Sequence, residues 1–334
     1  MKFNRNQILF VLLLLWGTAE ARTGLIQRGY LQRQDVQEFI QSVHQKHGIP
    51  VTKIAAFLSP ATQQARVLEL IAKPAEGKPW SKYRPIFLTD KRIDAGEKFW
   101  EENAVTLKRA SEAYGVPEEI IVAIIGVETF YGTRMGGFSV LDTLVSLGFD
   151  YPPRSAFFLS ELEHLILLAD EESLDPHKLK GSYAGAMGMG QFISSSYRNF
   201  AIDFDADGDR DLFTSTEDAI GSVANYFQQH DWQTGKSVIS QASVTGQGFE
   251  QLDANNRKPQ FSAAQLKAAG VYSKGPLSAN EQLVYLKLEG ASGIEHWVGH
   301  HNFYVITQYN HSVKYALAVF QLAEAIKNKR NIGH

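Results

Sequence analysis

The chain has 334 residues, of which 44% are apolar and 21% are charged, and its formal net charge is −3. This composition excludes a chain that is disordered throughout, and the near-neutral charge gives no electrostatic reason to bind nucleic acid. The chain contains no cysteine, which excludes disulfides, cysteine-ligated metal centres, a cysteine nucleophile and the usual attachment point of a bacterial lipid anchor.

The N-terminus has the pattern of a secretory signal. Two basic residues, Lys2 and Arg5, precede an apolar run over residues 8–16. Ala19 and Ala21 then offer the small residues that a signal peptidase recognises. The run is shorter than the roughly 20 residues that span a bilayer. We expect cleavage after Ala21 and export of the mature chain, with an uncleaved membrane anchor as the alternative.

Apolar residues at helical spacing predict helices through most of the chain. The first helices are predicted over 36–43, 51–58 and 65–71. The stretch 73–85 is rich in proline and glycine and is predicted to be a loop that contains Trp80 and Tyr83. Later helices are predicted over 95–114 (closed by Gly115), 120–127, 156–170, 218–230 and 311–327. The segment 120–127 is apolar on all sides, so we expect this helix to be buried.

The stretch between Gly235 and Gly299 differs from the helical remainder. Short, partly alternating segments over 237–240, 243–245 and 283–288 are predicted to be strands. The chain is therefore predicted to be mainly α with a small β-containing insertion. The predicted domains are a signal peptide over 1–21, an N-terminal helical region over 22–100, a catalytic core over 101–232 and 302–334, and the insertion over 233–301.

Glu128 is the first candidate for catalysis. It stands at the end of the predicted apolar helix, so its carboxyl should be partly desolvated and its pKa raised, as a general acid near neutral pH requires. The negative C-terminal end of the helix dipole acts in the same direction. The alternative is a structural glutamate paired with an arginine such as Arg134.

A glycine-rich segment, 182–192, is the second candidate. It lacks the Lys-Ser or Lys-Thr pair of a phosphate loop and follows no predicted strand, which argues against a nucleotide site. Its glycines allow a close backbone approach. The segment is either a tight helix–helix crossing or the wall of a groove for a bulky polymer, with Ser182 and Gln191 as hydrogen-bonding groups.

An acidic stretch begins at Asp203. Acidic residues stand at its first, third and fifth positions and Gly208 at the sixth, as in the opening of an EF-hand calcium loop. Position 12 is Thr214 instead of glutamate, so a longer loop would have to close on another carboxylate. A solvated acidic turn is the alternative. The predicted calcium ligands are the side chains of Asp203, Asp205, Asp207 and Asp218 and the main-chain carbonyl of Asp209.

Aromatic residues and an amide form a fourth set: Tyr226, Tyr309, Asn310 and Tyr315. Rings that pack on apolar sugar faces, beside amides that bind hydroxyl or acetamido groups, suit carbohydrate recognition. Aromatic residues at helical spacing are otherwise ordinary core residues.

Together these segments resemble the B-type lytic transglycosylases, the bacterial peptidoglycan-cleaving enzymes of glycoside hydrolase family 103. The matching segments, in family order and spacing, are 126–129, 182–192, the Asp203 loop with 218–227, and 309–312. The resemblance covers about 89–326. It implies a lysozyme-like core with a structural calcium in an EF-hand-like loop over 203–218, and no organic cofactor.

The resemblance also implies roles for single positions. Glu128 stands at the single catalytic acid/base. The family commonly has another arginine where this chain has Pro153, so we expect one contact to the anionic substrate to be lost. The implied substrate-groove positions are Tyr83, Arg154, Ser182, Gln191, Phe192, Tyr226, Tyr309, Asn310 and Tyr315.

An ordinary glycosidase needs two carboxylates, whereas this chain shows one placed acid. One acid suffices where the substrate supplies its own nucleophile. Glu128 would protonate the oxygen between N-acetylmuramic acid and N-acetylglucosamine and then take the proton of the muramyl C6 hydroxyl, which gives a 1,6-anhydro product. The alternatives are a hydrolytic muramidase and a non-catalytic, calcium-dependent peptidoglycan-binding protein. We expect peptidoglycan glycan strands as the partner, association with cell-wall enzyme complexes, a monomer, and a periplasmic location without a lipid anchor.

Overall fold

The computed structural model describes residues 29–73 and 77–333, so the predicted signal peptide lies outside the described residues. The described chain is mainly helical, with 14 α-helices and two small sheets. It divides into two compact units. Unit 1 comprises the described residues up to Ala72 together with Phe138–Gly185, and unit 2 comprises Lys73–Gly137 and the chain from Ala186 onward.

The helices in chain order are α1 Gln34–His47, α2 Val51–Leu58, α3 Ala65–Ile71, α4 Trp80–Phe87, α5 Asp90–Glu102, α6 Ala104–Tyr114, α7 Glu118–Thr129, α8 Val140–Asp150, α9 Ser155–Glu171, α10 Ser194–Phe200, α11 Thr216–Gln229, α12 Ala263–Ala268, α13 His301–Tyr309 and α14 Val313–Gly333. The strands are β1 Phe138–Ser139, β2 Lys180–Gly181, β3 Ile239–Val244, β4 Phe261–Ser262, β5 Val271–Ser273, β6 Gln282–Gly290 and β7 Gly293–Gly299. Among the residues that the structure describes, no helix combines the length and the apolar character needed to cross a membrane.

Unit 1 is built on the packing of α8 against α9, with β1 and β2 paired antiparallel beside them. Helix α1 ends at Gly48, whose φ of 70° is the left-handed conformation that glycine adopts without strain. The N-terminal part is tied to the end of α8, because the Tyr30 hydroxyl and the Arg33 guanidinium both donate to Asp150 at 2.5 Å.

Helix α7 forms the centre of unit 2. All residues from Ile120 to Val127 are buried, which confirms the prediction from their unbroken apolar character. The helix packs against α14, α5, α11 and α6, and its last turn carries Glu128. The preceding helix α6 ends at Gly115, with φ 72°, as predicted.

Two predictions were wrong: one predicted loop contains a helix, and one predicted helix is broken in two. The stretch predicted as a loop contains helix α4, in which Trp80 and Tyr83 are 1% and 3% exposed. Pro85 removes one main-chain hydrogen bond, and burial of two large rings on one face outweighs that loss. The single helix predicted over 95–114 is broken at Asn103, whose side chain donates to the carbonyl of Phe99 at 2.8 Å and competes with the helical pattern.

The larger sheet of unit 2 has five antiparallel strands in the order β4-β6-β7-β3-β5. The predicted strands over 237–240 and 243–245 form one strand, β3, and the predicted segment 283–288 is β6. Strands β4, β5 and β7 were not predicted. The sheet falls within the predicted insertion over 233–301, while the predicted domain division itself stays a prediction. Its small core consists of Leu266, Val271, Leu283, Tyr285 and Val298.

Candidate active site

Glu128 lies in the last turn of α7, directly before a tight left-handed turn. Phe130 and Tyr131 have φ values of 51° and 59°, a region that non-glycine residues rarely adopt. The Thr129 hydroxyl stabilises this turn, because it accepts the N–H of Gly132 at 2.9 Å and donates to the Met189 carbonyl at 2.8 Å. The carboxyl of Glu128 therefore sits on a rigid support at the end of a buried helix.

The Glu128 side chain is half-buried and has one specific partner. The hydroxyl of Tyr315, on α14, donates to its Oε1 at 2.5 Å. Burial raises the pKa of Glu128 to about 7, against the opposing effect of this hydrogen bond. The alternative of an ion pair with Arg134 is not realised among the described residues, where the Arg134 guanidinium lies 5.0 Å from the ring centroid of Phe130. Such a carboxyl can both donate and accept a proton near neutral pH.

Three predicted groove residues form an aromatic wall, which we define as Phe192, Tyr226 and Tyr309. The ring of Phe192 lies 5.8 Å from that of Tyr226 and 5.9 Å from that of Tyr309, and the two tyrosine rings are 4.8 Å apart. Both phenols donate to main-chain carbonyls, Tyr226 to Gln308 at 2.8 Å and Tyr309 to Gly190 at 2.5 Å. Phe192 and Tyr226 are only 2% and 7% exposed and Tyr309 is half-buried, so the wall is packed within unit 2 and its hydroxyl protons are already engaged.

The glycine-rich segment after Gly185 is a loop closed on itself and is not a helix–helix crossing. Met187 and Phe192 exchange two main-chain hydrogen bonds of 2.9 Å. Between them Gln191 takes φ 53°, and its amide nitrogen donates to the carbonyls of Met135 at 3.1 Å and Gly188 at 3.0 Å. A Cβ at Gly190 would lie 3.0 Å from the Tyr309 hydroxyl, so this glycine permits the loop to approach the aromatic wall.

Tyr83 and Asn310 also belong to unit 2. Tyr83, on α4, packs against Trp80 and Phe87, and the ammonium of Lys314 lies 5.8 Å from its ring centroid. Asn310 follows the last residue of α13 in an extended conformation, and its carbonyl accepts the N–H of Ser312 at 2.7 Å. Asn310 thus begins the segment that leads to Tyr315, and Tyr83 contacts that segment at Lys314.

Arg154 and Ser182 belong to unit 1. Arg154 ends a short 3₁₀ turn after α8, and its guanidinium lies over the rings of Phe157 and Phe158, at 4.4 and 5.1 Å from their centroids. The Ser182 hydroxyl accepts the N–H of Ala184 at 3.3 Å. These contacts place both side chains in local packing of unit 1.

The acidic loop brings three of the predicted ligands together. Carboxylate oxygens of Asp203, Asp205 and Asp218 all lie within 4.8 Å of one another. Asp218 is fully buried in the first turn of α11, and its carboxylate accepts the N–H groups of Phe204 at 2.6 Å and Asp211 at 2.8 Å. The loop is therefore folded around a buried carboxylate.

Asp207 and Asp209 are not part of this group of three. The carboxylate of Asp207 accepts the N–H of Asp209 at 3.0 Å, which is a local turn contact. Sequence reasoning missed Ser215, which caps α11: its hydroxyl accepts the N–H of Asp218 at 3.1 Å and donates to Asp205 at 2.8 Å. The Ser-x-x-Asp spacing before an apolar helix was the available signal.

Comparison with known proteins decides the class. The sequence pattern of the transglycosylase SLT domain matches residues 31–324. The chain belongs to this family. It is 41% identical over 319 residues to the membrane-bound lytic murein transglycosylase B of Escherichia coli K12, an alignment that covers 92% of this chain and 87% of that protein. The resemblance stated from the motifs is thereby confirmed.

Solved structures of this transglycosylase family share the fold. The catenated lytic transglycosylase SltB1 of Pseudomonas aeruginosa superposes with a TM-score of 0.86 at 44% identity, over 89% of this chain and 98% of that chain. The lytic transglycosylase Slt35 of Escherichia coli in complex with calcium superposes with a TM-score of 0.83 at 41% identity, over 92% and 97%. These likenesses confirm the predicted mainly helical, lysozyme-like fold class.

Proposed function

We propose that this chain is a lytic transglycosylase that cleaves murein glycan strands in cell-wall turnover, with Glu128 as its single acid/base. The observation that carries the proposal is the half-buried Glu128 carboxyl, whose pKa burial raises to about 7. Among the residues that the structure describes, its side-chain hydrogen-bond partner is the phenol of Tyr315. At neutral pH both the protonated and the ionised form of such a carboxyl are populated. A group that first donates a proton and then accepts one needs both forms. The family membership and the murein transglycosylase relative support the assignment.

The proposed reaction uses that one group twice. Protonated Glu128 donates to the glycosidic oxygen between N-acetylmuramic acid and N-acetylglucosamine, and the muramyl acetamido group stabilises the cationic C1 centre. Ionised Glu128 then takes the proton of the muramyl C6 hydroxyl as its oxygen bonds to C1. The product is a 1,6-anhydro ring, and the intramolecular attack needs no activated water. The Tyr315 hydroxyl orients the carboxyl throughout.

We assign sugar contacts to the aromatic wall and to Asn310. Tyr309 is the half-buried ring of the wall and can contact the apolar face of a pyranose ring, while Phe192 and Tyr226, which are buried, support it from behind. The Asn310 amide can bind an acetamido group. The assignments of Tyr83, Arg154, Ser182 and Gln191 to substrate binding rest on the family resemblance.

We also infer that the acidic loop holds calcium. The three converging groups, Asp203, Asp205 and Asp218, are hard oxygen donors of the kind that calcium prefers, and their mutual repulsion would be relieved by a cation. A bound calcium would supply charge neutralisation and tie the loop to α11, with no part in the chemistry. The calcium complex of Slt35 supports the inference. Main-chain coordination by Asp209 and a contribution of Asp207 remain part of this proposal.

The proposed setting is the periplasm, where the chain would act as a monomer on glycan strands, without a lipid anchor, and associate with other cell-wall enzymes. The signal-like pattern over 1–21 and the absence of cysteine from the sequence support it.

The test compares the wild type with Glu128→Gln on purified murein, with the soluble products identified by mass spectrometry. We expect wild-type products whose muramyl ends are one water lighter than reducing ends. The variant should release them roughly 10²–10⁴-fold more slowly, the usual contribution of a positioned general acid. Glu112→Gln, on the exposed surface of α6 in the same unit, is the control and should match the wild type.

Other outcomes separate the competing functions. Reducing ends would identify a hydrolytic muramidase. Wild-type rates from Glu128→Gln would contradict the acid assignment. Binding of murein by the wild type without release of fragments would indicate a non-catalytic binding protein.

A further inference from the structure

Three cationic side chains surround the ring of Phe130, two residues after Glu128. The ammonium of Lys91 and the guanidinium carbons of Arg92 and Arg134 lie 5.9, 5.3 and 5.0 Å from its centroid. We call these three residues the cation cluster. Lys91 and Arg92 come from the first turn of α5, and Arg134 follows the turn after α7, so the cluster is assembled from two separate segments of unit 2.

No carboxylate in the described part of the chain forms an ion pair with the cation cluster. Among the described residues, none of the three side chains forms an ion pair or donates to an acid, whereas Lys329, also in unit 2, pairs with both Asp94 and Glu97. Like charges gathered around one ring repel one another, and the repulsion is relieved when an anion binds between them. Within residues 29–73 and 77–333, the cation cluster therefore has no paired acidic side chain.

Arg92, the buried member of the cluster, has an unpaired hydrogen-bond donor. It is only 8% exposed, one guanidinium nitrogen donates to the carbonyl of Ile86 at 2.6 Å, and its Nε has no hydrogen-bond partner. The rings of Phe87 and Phe130 on either side compensate part of the desolvation through cation–π contacts. A buried cation with an unused donor is costly unless a ligand completes its contacts.

The backbone that presents the cluster is strained. Phe130 and Tyr131 are consecutive non-glycine residues in the left-handed region, and Tyr131 is held there by its hydroxyl, which donates to the Arg92 carbonyl at 2.9 Å. Conformations of this kind persist where the surrounding structure enforces them, and they concentrate at functional sites. The strained turn links Glu128 to the cation cluster within a few residues.

We propose that Lys91, Arg92 and Arg134 form an anion-binding subsite that takes the carboxylates of the murein stem peptide next to the scissile bond. The proposal rests on the proposed function, because it names the part of the same substrate that this face would bind. Stem peptides carry the carboxylates of murein, whereas the sugar rings flanking the bond are uncharged once the lactyl group is joined to the peptide. Two exposed cations above a buried arginine can hold a carboxylate by charge-assisted hydrogen bonds.

The experiment measures binding in the Glu128→Gln background, so that no bond is cleaved. Soluble glycan strands are prepared in three forms: with native stem peptides, with the peptide carboxylates converted to amides, and with the peptides removed. Isothermal titration calorimetry compares this protein with a version that also carries Lys91→Gln and Arg134→Gln. Arg92 is left in place because its burial makes it part of the fold.

We expect the double substitution to weaken binding to native strands at least about tenfold and binding to the amidated and peptide-free strands less than about twofold. Lys98→Gln with Lys108→Gln, two lysines that are 72% and 70% exposed in the same unit, is the control and should leave all three affinities unchanged. Equal melting temperatures of the variants show that the fold is retained.

Three results would overturn the proposal: unchanged affinity for native strands, an equal loss on all three substrates, or a loss that persists on peptide-free strands, where only the lactyl carboxylate remains. Undetectable binding of native strands to the parent would also contradict it. Since cleavage plays no part, failure of the transglycosylase assignment would instead appear as missing 1,6-anhydro products from the wild type.

Discussion

Glu128 and Asp218 are desolvated carboxylates of the same unit in opposite environments. Glu128 stands at the C-terminal end of α7, the negative end of a helix dipole, and receives one hydrogen bond from a phenol. Asp218 stands in the first turn of α11, the positive end, and receives main-chain N–H groups of Phe204, Asp205 and Asp211. Burial raises the pKa of both, and the N–H groups oppose the rise at Asp218.

The difference shows how one functional group is directed to two tasks. A carboxyl with few donors keeps its proton close to neutral pH and suits proton transfer. A carboxylate fixed by three main-chain donors beside Asp203 and Asp205 has a defined position and converging neighbours, which suits cation binding. The number of donors and the choice of helix end distinguish the two sites, and each can be altered separately.

The largest effect should come from removing the charge of Glu128. Its folded-state pKa of about 7 lies above the ordinary value of 4.5, so the folded protein tolerates the ionised form poorly. The free-energy cost of holding ionised Glu128 in the folded protein is absent at pH 4 and reaches its full value well above pH 7. In Glu128→Gln the free energy of unfolding should therefore exceed that of the wild type by up to about 3 kcal/mol at pH 8.5 and by little at pH 4.

Denaturant unfolding at the two pH values measures this difference. Glu112→Gln, at an exposed site on α6, should show no pH-dependent gain. An equal gain for Glu128→Gln at both pH values would mean that packing, and not ionisation, determines the effect.

A somewhat smaller effect is expected at the Asp218 site. Calcium at 100 times its dissociation constant should stabilise the chelator-treated wild type by about 2.7 kcal/mol, if the ion binds only the folded chain. Asp218→Asn should lose this stabilisation, because the buried member of the converging group no longer carries charge. Asp170→Asn, at an exposed acid of unit 1, is the matched control and should keep it. Melting curves with and without calcium decide, and an unchanged wild-type curve would contradict the site.

The smallest effect concerns the phenol that distinguishes Glu128. The Tyr315 hydroxyl favours the ionised carboxyl, so Tyr315→Phe should raise the pKa of Glu128 further. Glu128 must be protonated to begin the reaction, and the alkaline limb of the kcat/KM profile should therefore move to higher pH, by at most about one unit. Tyr226→Phe, whose phenol donates to a carbonyl, should leave the position of the limb unchanged. A limb that moves to lower pH would contradict the assigned role of the phenol.

Local sequence patterns predicted the helices that are buried on all sides and the helix ends that depend on a single residue. The apolar run of α7 permits no exposed face, and Gly115 marks a helix end that only a left-handed residue can make. Helix α4 was missed because Pro85 argues against a helix locally, whereas the burial of Trp80 that favours it depends on distant elements, including its hydrogen bond to Glu295 on β7.

The candidate site also contains features with a local sequence signal and features that depend on distant residues. The desolvation of Glu128 followed from its place at the end of an apolar helix. Its contact with Tyr315 spans 187 positions and has no local signal, so the sequence made Tyr315 a candidate for sugar binding but not the hydrogen-bond partner of Glu128. The cation cluster was not predicted, because Lys91 and Arg92 on a helix surface look like solvated charges until Phe130 and Arg134 are placed beside them.

The aromatic wall has one further consequence. Its two phenols are tethered to the carbonyls of Gln308 and Gly190, and its three rings pack edge to face, so the rotameric freedom of these side chains is lost when the chain folds. Under the proposed function, a glycan strand that docks beside Tyr309 would not have to immobilise these rings again, and the entropic cost of association would fall mainly on the strand. The three rings are thus held in position by the folded chain before any ligand arrives.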